Sequence, residues 1–142
     1  MPLFTKDGRH VLFVHIPKTG GTSMERHLIK AGWSMSHHDG KVGRGRPNYV
    51  RQCSPQHMHA AVLRTILRVD RLDAVFTVVR DPVARFRSEF VHRGRRLTLG
   101  ADDVEAWATK AFAQFEKDPF VYDNHIRPQV EFLLEGSRVY RL

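Results

Sequence analysis

The chain is poor in cysteine, with Cys53 as its single thiol, so it can build neither an internal disulfide framework nor a cysteine zinc site. A reducing compartment is therefore permitted. It also lacks any apolar run near the ~20 residues needed to span a bilayer. Its first residues, Met1 to Asp7, lack a charged leader followed by an apolar stretch. The expectation is a soluble, cytoplasmic protein without stable membrane insertion. No internal repeat or low-complexity segment is present. Acidic residues are few: 15 against 23 lysines and arginines give a net charge of +8. Such a field attracts phosphates, sulfates and other polyanions, but it names the charge of a partner and not the partner. A nucleic-acid-binding reading rests on that charge alone, because no recognised module accompanies it. Nucleic acid is not expected as a partner.

What is present suits one globular unit. A length of 142 residues with 42% hydrophobic content, nine Phe and two Trp is enough for one packed core, and residues 1–142 are read as a single domain. Val11-Leu12-Phe13-Val14 is a short continuous apolar run, the pattern of a strand covered on both faces. It runs into Pro17-Lys18-Thr19-Gly20-Gly21. Thr22 and Glu25 then have capping-box spacing, and Met24, His27, Leu28 and Ala31 repeat at helical intervals until Gly32. Residues 34–49 show no sustained period and read as a loop. Val62, Leu63, Ile66, Leu67 and Val69 predict a crossover helix, followed by a second strand over Ala74–Val79.

That strand delivers Arg80-Asp81-Pro82 to a helix carrying Val83, Phe86 and Phe90. A further helix is expected from the apolar stripe Val104, Trp107, Ala108, Ala111, Phe112 and Phe115, capped by Asp102 or Asp103. A last strand is expected at Val139–Leu142, after a turn at Gly136. Strands alternating with helices predict an α/β fold with a parallel sheet flanked by helices, in which ligands sit beyond the carboxyl ends of the strands.

Gly20 and Gly21, following a buried strand, let the backbone approach an anion closely. The helix start supplies free N–H groups and the positive end of its dipole, and Lys18, Thr19, Thr22 and Ser23 add an ammonium and hydroxyls. A phosphate site follows. It is not a Walker A loop, because the lysine precedes the glycines. A glycine turn between strand and helix often binds nothing, and an Arg-Asp-Pro turn can be only a helix start. The two together, in order and on predicted strand ends, carry the inference.

The segment Phe13-Val14-His15-Ile16-Pro17-Lys18-Thr19-Gly20-Gly21-Thr22-Ser23 resembles the 5'-phosphosulfate loop of sulfotransferases that use 3'-phosphoadenosine 5'-phosphosulfate (PAPS). It is most similar to the carbohydrate branch, the heparan sulfate 2-O- and 6-O-sulfotransferases and their bacterial relatives. Val78-Val79-Arg80-Asp81-Pro82, continuing to Phe90, resembles the 3'-phosphate motif of the same family. The resemblance implies a three-layer, P-loop-like sulfotransferase fold, and Arg80 and Ser88 holding the 3'-phosphate of the donor. An arginine fork suits a pair of phosphate oxygens. The relatives continue with further helices and a strand, so the resemblance implies a truncated or minimal form here, with a more open site.

The resemblance also places a general base between the two motifs, in Gln56-His57-Met58-His59. Related enzymes keep a histidine there to deprotonate the acceptor hydroxyl, and an imidazole suits that task near neutral pH. His59 is the first choice and His57 the second. The plainer alternatives are a hydrogen-bonded pair near a helix start or a fortuitous metal contact, and no metal is expected. The implied reaction is an in-line displacement at sulfur, with Lys18 stabilising charge on the bridging oxygen of the leaving nucleotide.

Asn124-His125-Ile126-Arg127-Pro128-Gln129 is similar to a segment near the acceptor cleft of carbohydrate sulfotransferases, which makes His125 and Arg127 candidate acceptor contacts. The basic runs Arg44 to Arg51 and Arg93 to Arg96 read slightly better as solvated faces than as a binding surface for a sulfated chain. The expected partners are PAPS and a hydroxylated glycan, with a non-catalytic nucleotide- or polyanion-binding domain as the competing reading.

Overall fold

Asp7 and Gly8 lie at φ 49° and 75°, the paired left-handed geometry of a two-residue hairpin turn. They join β1 (Leu3–Lys6) to β2 (Arg9–Val14), with Lys6 opposite Arg9 and Leu3 opposite Leu12. The chain, seen as a computed structural model, is described for residues 1–39, 45–46, 48–94 and 103–141. β3 (Ser34–Ser36) pairs antiparallel with the outer edge of β1. On the other side, β4 (Ala74–Val79) lies parallel to β2, and β5 (Arg138–Arg141) lies parallel to β4. The sheet order is β3-β1-β2-β4-β5.

The expected parallel sheet is therefore corrected to a mixed one. Its parallel half is the part made by helical crossovers. Its antiparallel half comes from the Asp7-Gly8 hairpin and from three residues of the segment read as loop, Ser34–Ser36. Both strands are too short for an alternating pattern to develop, and only the Asp-Gly pair could have announced the first. Leu142 and residues 40–44, 47 and 95–102 lie outside the described residues.

The helices are α1 (Gly21–Lys30), α2 (Ala60–Ile66), α3 (Pro82–Gly94) and α4 (Val104–Lys117), with short 3-10 turns at Pro55–His57 and Gln129–Phe132. Alternation along β2 divides the core. Leu12 and Val14 pack with Ala60 and Leu63 of α2 and with Phe132, whereas Phe13 packs with Phe4, Val78 and the α1 residues Met24 and Leu28. A separate cluster joins Phe86 and Phe90 of α3 to Trp107 and Ala111 of α4. Among the described residues no helix is long and apolar enough to cross a membrane.

Two expected caps are not made. α1 begins after Gly20 with no side-chain cap, and Glu25 is drawn inward to His15 instead of back to its own helix start. Asp103 precedes α4 without a capping hydrogen bond from its side chain, and Asp102 is outside the described residues. The α4 stripe is also narrower than expected, because Val104 and Phe112 are exposed; Phe112 stacks on Phe86 at 5.2 Å between ring centroids.

Phe132 is fully buried where the Gln129–Phe132 turn meets α2 and β2. Phe132→Ala should cost about 3–5 kcal/mol, a large part of the ~5–15 kcal/mol available to a domain. Urea unfolding should show this as a lower midpoint with an unchanged slope; an unchanged midpoint would contradict the packing described.

Candidate functional site

Parallel strands deliver their following loops to one edge of a sheet. Here Val14 sits opposite Thr77, whose hydroxyl donates to the Val14 carbonyl at 2.7 Å, so the loops after β2 and β4 emerge side by side. In the first loop Thr19 turns inward and donates from Oγ1 to the Ile16 carbonyl at 2.8 Å. Lys18 and Gly20 take left-handed geometry, φ 68° and 85°, to make the corner into α1. Gly21 is fixed by packing: a Cβ there would lie 2.1 Å from Nε2 of His15. With no side-chain cap, the start of α1 at Gly21 to Ser23 presents the positive end of the helix dipole to its surroundings.

The two loops share one cleft of ≈ 650 Å³, within the ~300–1,000 Å³ usual for small-ligand sites. Lys18, Gly20, Gly21, Thr22 and Ser23 line it from the first loop, and Arg80 and Ser88 from the second. Arg80 Nη1 donates to the Lys18 carbonyl at 3.4 Å, tying the loops directly. The Gln129 amide brackets the Arg80 backbone, accepting from its N–H at 3.0 Å and donating to its carbonyl at 2.8 Å. Deeper still, buried Arg85 donates to the carbonyls of Pro17 at 2.9 Å, Arg127 at 2.9 Å and His125 at 2.8 Å.

Histidines crowd the remainder of the cleft, and three carry a carboxylate on Nδ1. His15 pairs with Glu25 at 2.6 Å, His57 with Asp123 at 2.7 Å, and His125 with Glu89 at 2.6 Å. The rings of His15 and His57, and of His57 and His125, meet edge to face with centroids 5.1 and 4.9 Å apart. Asp123 is aimed by a left-handed run, Tyr122, Asp123 and Asn124 at φ 53°, 58° and 65°. It accepts from Ser54 N at 2.6 Å and Ser54 Oγ at 2.7 Å as well as from His57. Because an ionised carboxylate only accepts, the His57 proton sits on Nδ1 and the lone pair on Nε2. Burial pushes the His57 imidazole down to about 4, with the neighbouring His125 and His15 acting the same way against Asp123, so it is neutral at pH 7. His57, Asp123 and His125 could also hold a metal ion, since their ligand atoms lie within 4.8 Å of one another.

Of the residues singled out from sequence, Lys18, Gly20, Gly21, Thr22, Ser23, His57, Arg80, Ser88 and His125 line this cleft. Three do not. Thr19 spends its hydroxyl on the loop itself. His59 is the buried N-cap residue of α2, its ring 5.5 Å from Phe120 and 6.5 Å from Phe132 between centroids, with Nδ1 unpartnered among the described residues. Arg127 is buried, donating to Asn124 Oδ1 and the Pro119 carbonyl, each at 2.9 Å, and pairing with Glu131. Of the basic runs, Arg93 reaches the cleft and Arg46 and Arg51 are exposed, whereas Arg44, Arg95 and Arg96 are outside the described residues.

Sequence reasoning missed the carboxylates Glu25, Glu89 and Asp123, and the buried Arg85. Only the spacing of Glu89 and Arg93, four residues apart on one helix and joined at 2.6 Å, offered a signal.

A family model for sulfotransferases matches residues 1–136. The chain belongs to the sulfotransferase family. No curated protein and no solved structure matches it. In this sulfotransferase the cleft has the uncapped start of α1 at one end and the His57 imidazole at the other.

The paired carboxylates make this sulfotransferase acid-sensitive. Burial pushes Glu25 and Glu89 up, but the hydrogen bonds and charges of His15 and His125, with Gln56 and Arg93, hold both below their usual 4.5. Folded values below unfolded ones mean the stability is present above about pH 4.5 and lost as pH falls through the folded values. The urea midpoint should therefore drop between about pH 5 and 3, with a shallower drop in Glu25→Gln; a flat wild-type profile over that range would contradict it.

Proposed function

We propose that this sulfotransferase moves a sulfuryl group from PAPS to a hydroxyl of a carbohydrate or related acceptor, with His57 as the general base. The observation that carries the reading is one cleft lined by both strand-end loops and by the His57–Asp123 pair. The donor would be held by Lys18, Gly20, Gly21, Thr22 and Ser23 at its 5' side, with Thr19 contributing only backbone, and by Arg80 and Ser88 at its 3'-phosphate. The uncapped start of α1 and the guanidinium fork are the features that fit two separated phosphates. Helices packed on both faces of β2 support the three-layer, P-loop-like form of the fold. Free, buried Cys53 suits the cytoplasmic location we assign.

PAPS would supply the sulfuryl group and a bisphosphate nucleotide as leaving group. The residues of the chain supply the rest. The Lys18 ammonium would stabilise the negative charge growing at the loop, and stabilisation of developing charge in a dry site is usually the largest catalytic contribution. His57 Nε2 would take the acceptor proton while Asp123 holds the Nδ1 proton and stabilises the imidazolium that forms, the role an orienting carboxylate has in hydrolytic triads. His57 is preferred over His59 because the His59 ring is enclosed by Phe120 and Phe132. His125 and His92 are the proposed acceptor-side contacts, and Arg127 is assigned to the support of that segment.

Transfer from labelled PAPS to a panel of hydroxylated glycans tests the reading. His57→Ala should lower kcat by at least about a hundredfold. His59→Ala should chiefly lower stability. Transfer abolished by His59→Ala yet retained by His57→Ala would overturn the assignment; nucleotide binding without transfer to any acceptor would favour a non-catalytic binding domain.

A further inference from the structure

We infer that the histidine end of the cleft is a binding site for a divalent first-row transition ion of the zinc class, held by His57, Asp123 and His125. Two imidazoles and one carboxylate are the donor set of such ions rather than of magnesium or calcium, which prefer oxygen alone. The three residues come from two segments that the fold brings together, the Pro55–His57 turn and the left-handed run at Asp123, and each lines the cleft. Their ligand atoms lie within 4.8 Å of one another. Around a tetrahedral zinc with bonds of ~2.1 Å, ligand atoms sit about 3.3 Å apart, so an inward shift of about 1.5 Å closes the site.

The surroundings are those of a metal site. An imidazole that ligates metal characteristically gives its other ring N–H to a carboxylate, which fixes its tautomer and orientation. His125 does so to Glu89, 1% exposed on its side chain and itself held by Arg93 Nε at 2.6 Å. Asp123 has about four lone-pair positions on its two oxygens. Ser54 N and Ser54 Oγ use two of them, and a third accepts from His57 Nδ1, so an ion that replaces this ring proton bridges Asp123 and His57. Charge is divided along the cleft in the right sense: Asp123 and Glu89 gather at the histidine end, while Lys18 and Arg80 stand at the loop end. Three protein ligands leave a fourth position open to water or to an acceptor oxygen. A corollary rests on the base reading above: an ion on Nδ1 of His57 shifts the ring proton to Nε2 and so removes the lone pair that would accept the acceptor proton, and metal and sulfuryl transfer exclude each other.

Calorimetric titration of the full chain with zinc chloride, without donor or acceptor, tests the site apart from turnover. One ion per chain should bind, and His125→Ala and Glu89→Gln should each weaken it by about ten- to a hundredfold, the usual cost of a lost ligand or its supporting carboxylate. His10→Ala, on β2 away from the cleft, should change nothing. Absence of binding, or affinity unchanged in His125→Ala, overturns the proposal. Should that variant fail to fold, imidazole resonances of the wild type decide: zinc must shift those of His57 and His125, and shifts confined to other histidines overturn the site. Zinc that binds there and blocks transfer supports the corollary, whereas transfer undiminished at saturation overturns His57 as the base and leaves the metal site standing.

Discussion

Three backbone carbonyls converge on the buried guanidinium of Arg85, and the cleft is arranged around that point. A charge taken out of water costs several kcal/mol unless its donors are satisfied. Arg85 satisfies them with Pro17, His125 and Arg127, each a hydrogen bond to a charged group and so worth about 1.5–3 kcal/mol. Burial lowers it to about 10, with Glu89 acting in the opposite direction, so it stays charged at neutral pH. The consequence is geometric. The loop after β2, the His125 segment and α3, which carries Ser88, His92 and Arg93, are held to one another through a single side chain.

A second constraint acts at the histidines. Tyr122, Asp123 and Asn124 all adopt left-handed backbone geometry, which costs an L-residue roughly 1–2 kcal/mol, least for Asn and Asp. The run persists because its neighbours hold it: Asn124 donates to the His57 carbonyl at 2.8 Å and accepts from Arg127, and the Arg127 guanidinium lies 5.1 Å from the Phe120 ring centroid. Strain stored this way is characteristic of functional sites, where a side chain must be aimed and not merely accommodated. Here it aims Asp123 at His57. Arg127, whose sequence neighbourhood suggested an acceptor contact, works one layer behind.

The sequence made the parallel half of the fold legible, because buried apolar strands followed by glycine or Arg-Asp-Pro corners are strong local signals. It hid the antiparallel half: Leu3–Lys6 and Ser34–Ser36 are too short to show a period, and Asp7-Gly8 was the one available cue. At the site, the cleft-lining loop from Lys18 to Ser23 was readable since all its parts are adjacent in the chain. The histidine partners were not, because Asp123 and His57 are 66 residues apart and meet only through the tertiary fold. The choice between His57 and His59 lay beyond the reach of spacing for a related reason. Two residues apart, they diverge because a 3-10 turn ends at one and α2 begins after the other.

The proposed sulfuryl transfer depends on one cleft holding both ends of a doubly phosphorylated nucleotide. Calorimetry with adenosine 3',5'-bisphosphate, set beside ATP and repeated on Arg80→Ala, tests that dependence most directly. The account requires the bisphosphate to bind far more tightly than ATP and to lose at least about tenfold in affinity when Arg80 is removed, a change of about 1.4 kcal/mol. Equal affinity for the two nucleotides, or bisphosphate binding indifferent to Arg80, would contradict it.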